Sequence, residues 1–135
     1  MKRIYGSMLA FFCLLVMTAC RQESLDGENV YQVYYVSNSE TKVEMHAHEM
    51  QTYDTKDQLQ ELVDCLSANP EKLEYKAPFG MGFQVLDMKL EEGNLLIDVD
   101  AAYKELPAMT EVLVRAAVVR TLTQLPDVKL VMITV

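Results

Sequence analysis

The sequence predicts an α+β domain on three observations. Five segments are rich in β-branched, aromatic or alternating apolar residues, as strands require. Two segments repeat apolar residues at helical spacing. The two kinds follow one another as β-β-α-β-β-α-β, so strict βαβ alternation does not apply. The expected architecture is one mixed sheet with two helices packed on one face. A chain of 135 residues, half of them apolar, supports one packed core and excludes a wholly disordered protein.

Val30–Val36, rich in Val and Tyr, is the first expected strand. Ser37-Asn38-Ser39-Glu40 is a turn cluster. Thr41–Met50 is the second strand, with Val43, Met45 and Ala47 expected on the core side. Lys42, Glu44, His46 and His48 are expected on the solvent side. Thr55 and Gln58 have capping-box spacing and open the first helix, where Leu59, Leu62, Val63 and Leu66 line one face. Asn69-Pro70 stops it, because proline cannot continue the hydrogen-bond ladder. Residues 71–82, with Pro78, Gly80 and Gly82, are expected as a loop.

Phe83–Leu90 and Leu95–Asp100 are expected to pair across a hairpin at Glu91-Glu92-Gly93-Asn94. Leu86, Met88 and Leu90 are assigned to one face, as are Leu95, Ile97 and Val99. The second helix is expected from Met109 to Leu125, between Pro107 and Pro126, apolar around most of its girth. Glu111 and Arg115 are spaced to pair on its outer side. Val128–Val135 is an almost unbroken apolar run, expected as a strand buried on both faces.

The first residues set the compartment. Lys2 and Arg3 precede an uncharged run from Ile4 to Ala19, too short for the roughly 20 residues of a spanning helix. It ends in Met17-Thr18-Ala19-Cys20, small residues before a cysteine, as at a secretory cleavage site. The run resembles a bacterial lipobox, which implies a signal peptide over 1–19, lipid on Cys20 and a tether over 20–29. The domain proper is expected over 30–135. The mature chain would hold 116 residues and carry −10, against −8 for the whole sequence. That charge argues against nucleic-acid binding, which needs clustered Lys and Arg. Of the three cysteines, Cys13 leaves with the signal, Cys20 takes lipid and Cys65 stays alone, so no disulfide can form within the mature chain.

Several stretches are together similar to the GerMN family, the sporulation and spore-germination domain. They are Val33-Tyr34-Tyr35-Val36, Val85-Leu86-Asp87-Met88, Glu92-Gly93-Asn94-Leu95-Leu96-Ile97-Asp98-Val99 and, most specifically, Thr121-Leu122-Thr123-Gln124-Leu125-Pro126-Asp127-Val128-Lys129. The resemblance implies an extracytoplasmic domain, often on lipoproteins, without known catalysis or cofactor. The sequence carries one copy where spore members can carry two. It stops at Val135, where many members continue into an Asp-Gly turn.

Candidate chemistry is sparse. His46 and His48 share a strand face beside Glu44, and two imidazoles with a carboxylate can bind Zn²⁺ or Cu²⁺, but no ligand distant in sequence joins the His-x-His pair. A solvated polar face is the simpler reading. Asp98 and Asp100 also share a face, with Asp87 across the hairpin, and read as exposed acids. Cys65 has no nucleophile motif around it, and the scattered methionines read as core filler. Arg115 and Arg120 read as ordinary helix solvation. The Thr and Gln residues of the Thr121–Pro126 stretch are expected to bond free carbonyls at a helix end, which Pro126 closes. The expected protein is a non-enzymatic interaction module, lipid-anchored on the outer side of the cytoplasmic membrane. Its partner would be an envelope protein or another copy of itself. The alternative is an envelope lipoprotein that binds a small ligand or metal through His46 and His48.

Overall fold

The computed structural model describes residues 29–72 and 74–135. The expected signal peptide, Cys20 and the tether up to residue 28 lie outside them. The elements are β1 (Val30–Ser37), β2 (Val43–Glu49), α1 (Thr55–Ser67), β3 (Tyr75–Lys76), β4 (Val85–Glu91), β5 (Asn94–Val99), α2 (Ala108–Leu122) and β6 (Leu130–Thr134). Short 3₁₀ turns cover Pro78–Gly80 and Ala101–Glu105. The α+β class and the expected order hold, with β3 added inside the segment expected as a loop.

The strands form two sheets where a single one was expected, β2-β1-β3 and β4-β5-β6. In the first, β1 and β2 run antiparallel from Val30 opposite Glu49 to Val36 opposite Val43. Strand β3 pairs only with Val36 and Ser37. The rest of that edge of β1 is occupied by α2, which blocks continuation into the second sheet (below). In the second sheet β4 and β5 are antiparallel and β5 and β6 parallel. The helices tie the sheets together. Leu62 and Leu66 of α1 and Val114, Val118 and Leu122 of α2 share one core with Val33 and Val36 of the first sheet and Leu95, Ile97 and Val99 of the second.

Local chemistry sets the element ends. The cap of α1 is Asp54, whose side chain accepts from the Lys56 N–H. The expected Thr55–Gln58 box is therefore not the cap. Gln58 instead donates to Asn29 Oδ1 and to the Thr52 carbonyl, while Asn29 donates to the Met50 and Thr52 carbonyls. These bonds fasten the start of the domain to the approach to α1. The β4–β5 hairpin turns on Glu92 and Gly93, both at positive φ, the pattern of a type I′ turn. The Gly93 carbonyl then accepts from Lys129 and Leu130, which places the start of β6.

Several assignments of face need correction. Val43 packs on the core as expected, but Met45 is 63% exposed and Ala47 is exposed, whereas His46 and His48 are half-buried, so from Met45 onward β2 turns its histidine side inward. Leu86 is 60% exposed because the register shifts between Val85 and Asp87, and the bulge rotates it out while Met88 and Leu90 stay inward. The apolar girth expected of the second helix is not all covered, for Val112 and Met109 lie on the solvent side of α2. α2 ends at Leu122, three residues short of the expected Leu125. β6 is covered on one face only: Val131 and Ile133 pack on the core, whereas Leu130 and Met132 are 49% and 41% exposed.

Candidate functional site

Three places gather the side chains of interest. The first is a groove of about 480 Å³ between the inward face of β1–β2, α1 and the segment after it; its walls include Tyr35, His46, His48, Cys65, Lys72 and Tyr75. Both predicted histidines therefore line one groove. Their nitrogens do not converge. His48 Nε2 bonds Glu61 Oε1 at 2.7 Å. His46 sits edge-on between Tyr35 and Tyr75, with centroids 5.6 and 4.6 Å away, and its Nε2 is buried without a protein partner. Among the described residues no three His, Cys, Asp or Glu side chains are placed to hold a metal ion.

Sequence reasoning missed Glu61, which lies on the polar side of α1 by its spacing. Its carboxylate accepts from the Gln51 backbone, the Thr52 hydroxyl and His48. Burial alone would raise its pKa, but these hydrogen bonds outweigh it and lower the group to about 2. The bonds fasten the end of β2 to α1. A carboxyl whose folded pKa lies below its ordinary value stabilises the fold above that ordinary value, near 4.5, and loses the contribution as pH falls from there through about 2. We expect the thermal midpoint of the natural chain to drop more between pH 5 and pH 3 than that of Glu61→Gln. The variant should be less stable by about 2 kcal/mol at pH 7. Parallel melting curves across that pH range would remove Glu61 from this role.

Cys65 Sγ lies 3.8 Å from both ring nitrogens of His48. Equal distances place the sulfur off the in-plane lone pair of either nitrogen, so the thiol is not lined up with a base. Burial raises the Cys65 pKa, and the charges of Glu61 and Asp64 raise it further. That is the reverse of an activated thiol. Asp87 and Asp98 stand directly opposite each other on β4 and β5, and Asp98 accepts from the Thr134 hydroxyl. Asp100 departs from the expected exposed face, for its Oδ1 is buried without a partner.

The second place is the seam between α2 and β1. Thr121 is fully buried; its hydroxyl donates to the Ala117 carbonyl and accepts from the Tyr34 N–H at 3.0 Å. The Gln124 amide accepts from the Gln32 N–H at 2.9 Å and donates to the Gln32 carbonyl at 2.6 Å, as a neighbouring strand residue would. It also donates to the Arg120 and Thr121 carbonyls, as expected of a helix end. Two side chains thus take the place of a strand along β1. Arg120 closes the seam with its guanidinium 5.6 Å from the Tyr34 ring centre. Arg115 makes the expected pair with Glu111 at 2.7 Å.

The third place is the outer face of β4-β5-β6, where Leu96 and Met132 floor a shallow hollow of about 670 Å³ rimmed by Lys89, Glu91, Glu92 and Asn94. None of the three places combines a nucleophile with an aligned base. The two sheets, their shared core and the seam define a small α+β domain built around buried contacts.

The chain belongs to the Germane family, described as sporulation and spore germination, which matches residues 32–135. This is the GerMN family indicated by the residues above. Its fold is similar to the tandem GerMN domains of the sporulation protein GerM from Bacillus subtilis, at 21% identity and a TM-score of 0.55. That match covers 78% of this chain and 38% of that one. The chain therefore spans less than half of the tandem-domain protein. A looser likeness, at 15% identity and a TM-score of 0.45, is to a crystal structure from Clostridium perfringens of a protein itself only inferred to be a lipoprotein. It covers 77% of this chain and 73% of that one. No curated protein matches the chain. Among the described residues no helix is long and apolar enough to cross a membrane.

Proposed function

We propose that this chain is a lipid-anchored extracytoplasmic module that binds another protein and performs no chemistry of its own, in envelope assembly during sporulation or spore germination. The observation that carries the reading is the family match over residues 32–135. The Met17-Thr18-Ala19-Cys20 run supports a lipid anchor just ahead of the domain. Attachment through Cys20 would hold an acidic body at a surface that repels it, leaving the outer faces of α2 and of β4-β5-β6 open to partners. Those faces carry Met109, Val112, Leu130 and Met132.

A photo-reactive residue at Val112 or Met132 in the full chain, expressed in its own cell, tests this. We expect a discrete cross-linked protein in the membrane fraction from at least one of the two positions. Uncross-linked chain alone from both would contradict the reading.

A further inference from the structure

The sheet edges differ in how they are protected. β2 carries Glu44, His46, His48 and Glu49. The open part of β1 is closed by Thr121 and Gln124. β3 is two residues long. β4 has a bulge and carries Asp87, Lys89 and Glu91. Bulges, charges and short length are the devices that keep sheet edges from pairing with other chains. β6 has none of them. Leu130-Val131-Met132-Ile133-Thr134 holds no charge, no proline and no bulge. Among the described residues its side away from β5 has no strand or side-chain partner.

We propose that β6 pairs antiparallel with β6 of a second copy of this chain, joining two three-stranded sheets into one of six strands. This rests on the interaction-module reading and names the partner and the edge. A closed two-fold contact between identical strands must be antiparallel. With Met132 on the axis, Leu130 meets the second copy's Thr134 and Val131 meets its Ile133. Every pair is then uncharged. On the core side Val131 and Ile133, both half-buried, cover each other's open flank. On the outer side Leu96 and Met132, in register on β5 and β6, meet the same two residues of the second copy. This gives a four-residue apolar row. Lys89, opposite Leu96 on β4, stands at each far end of it, so no like charges meet across the axis. A strand from an unrelated protein would have to reproduce this alternation, which a second copy already has. The remaining obstacle is the net negative charge of each chain, −10 once residues 1–19 are removed, a long-range repulsion that salt weakens.

The test is the mass of the detergent-solubilised full chain in solution, with the detergent contribution subtracted, up to about 100 µM. We expect a dimer that tightens as salt rises. Met132→Lys sets two like charges on the axis and should weaken the dimer at least tenfold. At a concentration where both are monomeric its thermal midpoint should equal that of the natural chain, showing that it folds. Leu86→Lys, on the β4 edge, should leave the dimer intact. Met132→Cys should form an intermolecular disulfide on oxidation, since residues directly opposite in an antiparallel pair lie within disulfide reach. Leu86→Cys should not. A chain that stays monomeric at every concentration and salt overturns the proposal, and so does a dimer that Met132→Lys leaves unchanged. If such a monomer still cross-links to an envelope protein, the interaction reading stands without self-pairing.

Discussion

Replacing Thr121 by Val and Gln124 by Leu together is expected to lower the thermal midpoint by about 10–20 °C. A loss of about 2–4 kcal/mol would do this in a domain of this size. Val fills the space of Thr121 but cannot accept from the Tyr34 N–H, and this amide sits against a helix that excludes water. A buried donor without a partner costs about 1–3 kcal/mol. Leu at 124 removes both bonds to the Gln32 backbone and leaves its N–H and carbonyl facing hydrocarbon. The two changes act on one edge, so their effects should not add. Amide exchange separates this account from general loosening. The Gln32 and Tyr34 amides should exchange faster, while those of the β4–β5 ladder hold their protection relative to overall stability. A double variant melting within about 1 °C of the natural chain would mean that strand pairing with β2 alone holds β1.

Replacing Cys20 by Ser is expected to abolish membrane attachment by lipid. Each buried methylene contributes about 0.8 kcal/mol, so two acyl chains hold a protein where one scarcely does. Without them an acidic body has no affinity for an anionic surface. Serine has no thiol to carry the lipid, so incorporation of an alkyne-tagged fatty acid should fall to background. The variant should accumulate with the 1–19 segment still attached. Unchanged incorporation in Cys20→Ser would place the lipid elsewhere or on another protein.

The order of strands and helices was legible because periods of two and 3.6 separate cleanly in most segments. Leu59, Leu62, Val63 and Leu66 all line the core side of α1, and Leu95, Ile97 and Val99 are buried on β5, as their spacing indicates. The failures have physical causes. Met45, Ala47 and the two histidines of β2 lie on the sides opposite to those expected because histidine reads as polar, although a ring can pack edge-on between tyrosines, as His46 does. β6 reads as buried on both sides because the run Val128–Val135 is apolar almost throughout. An unprotected edge looks the same in sequence as a strand inside a sheet. Leu86 left its face because a bulge changes parity after one residue. β3, at two residues, is too short for any periodicity.

The groove and the seam were legible only in part. His46 and His48 were placed together correctly, but the partner of His48 is Glu61, which comes from another element and has no spacing signal. The stretch Thr121–Lys129 stands out by its resemblance, and its Thr and Gln residues read as helix-end groups. The sequence could not show that the same side chains also replace a strand along β1. That role depends on where α2 lies, and α2 is placed by Val114, Val118 and Leu122 packing into a core drawn from both sheets.

Anchoring through Cys20 is the claim on which the proposed function most depends, and it is open to one direct measurement. The protein is extracted from membranes with detergent and the mass of its N-terminal peptide is determined. The account predicts a chain that begins at Cys20 and carries a diacylglyceryl group on that sulfur. A peptide that retains residues 1–19, or an unmodified Cys20, would contradict it.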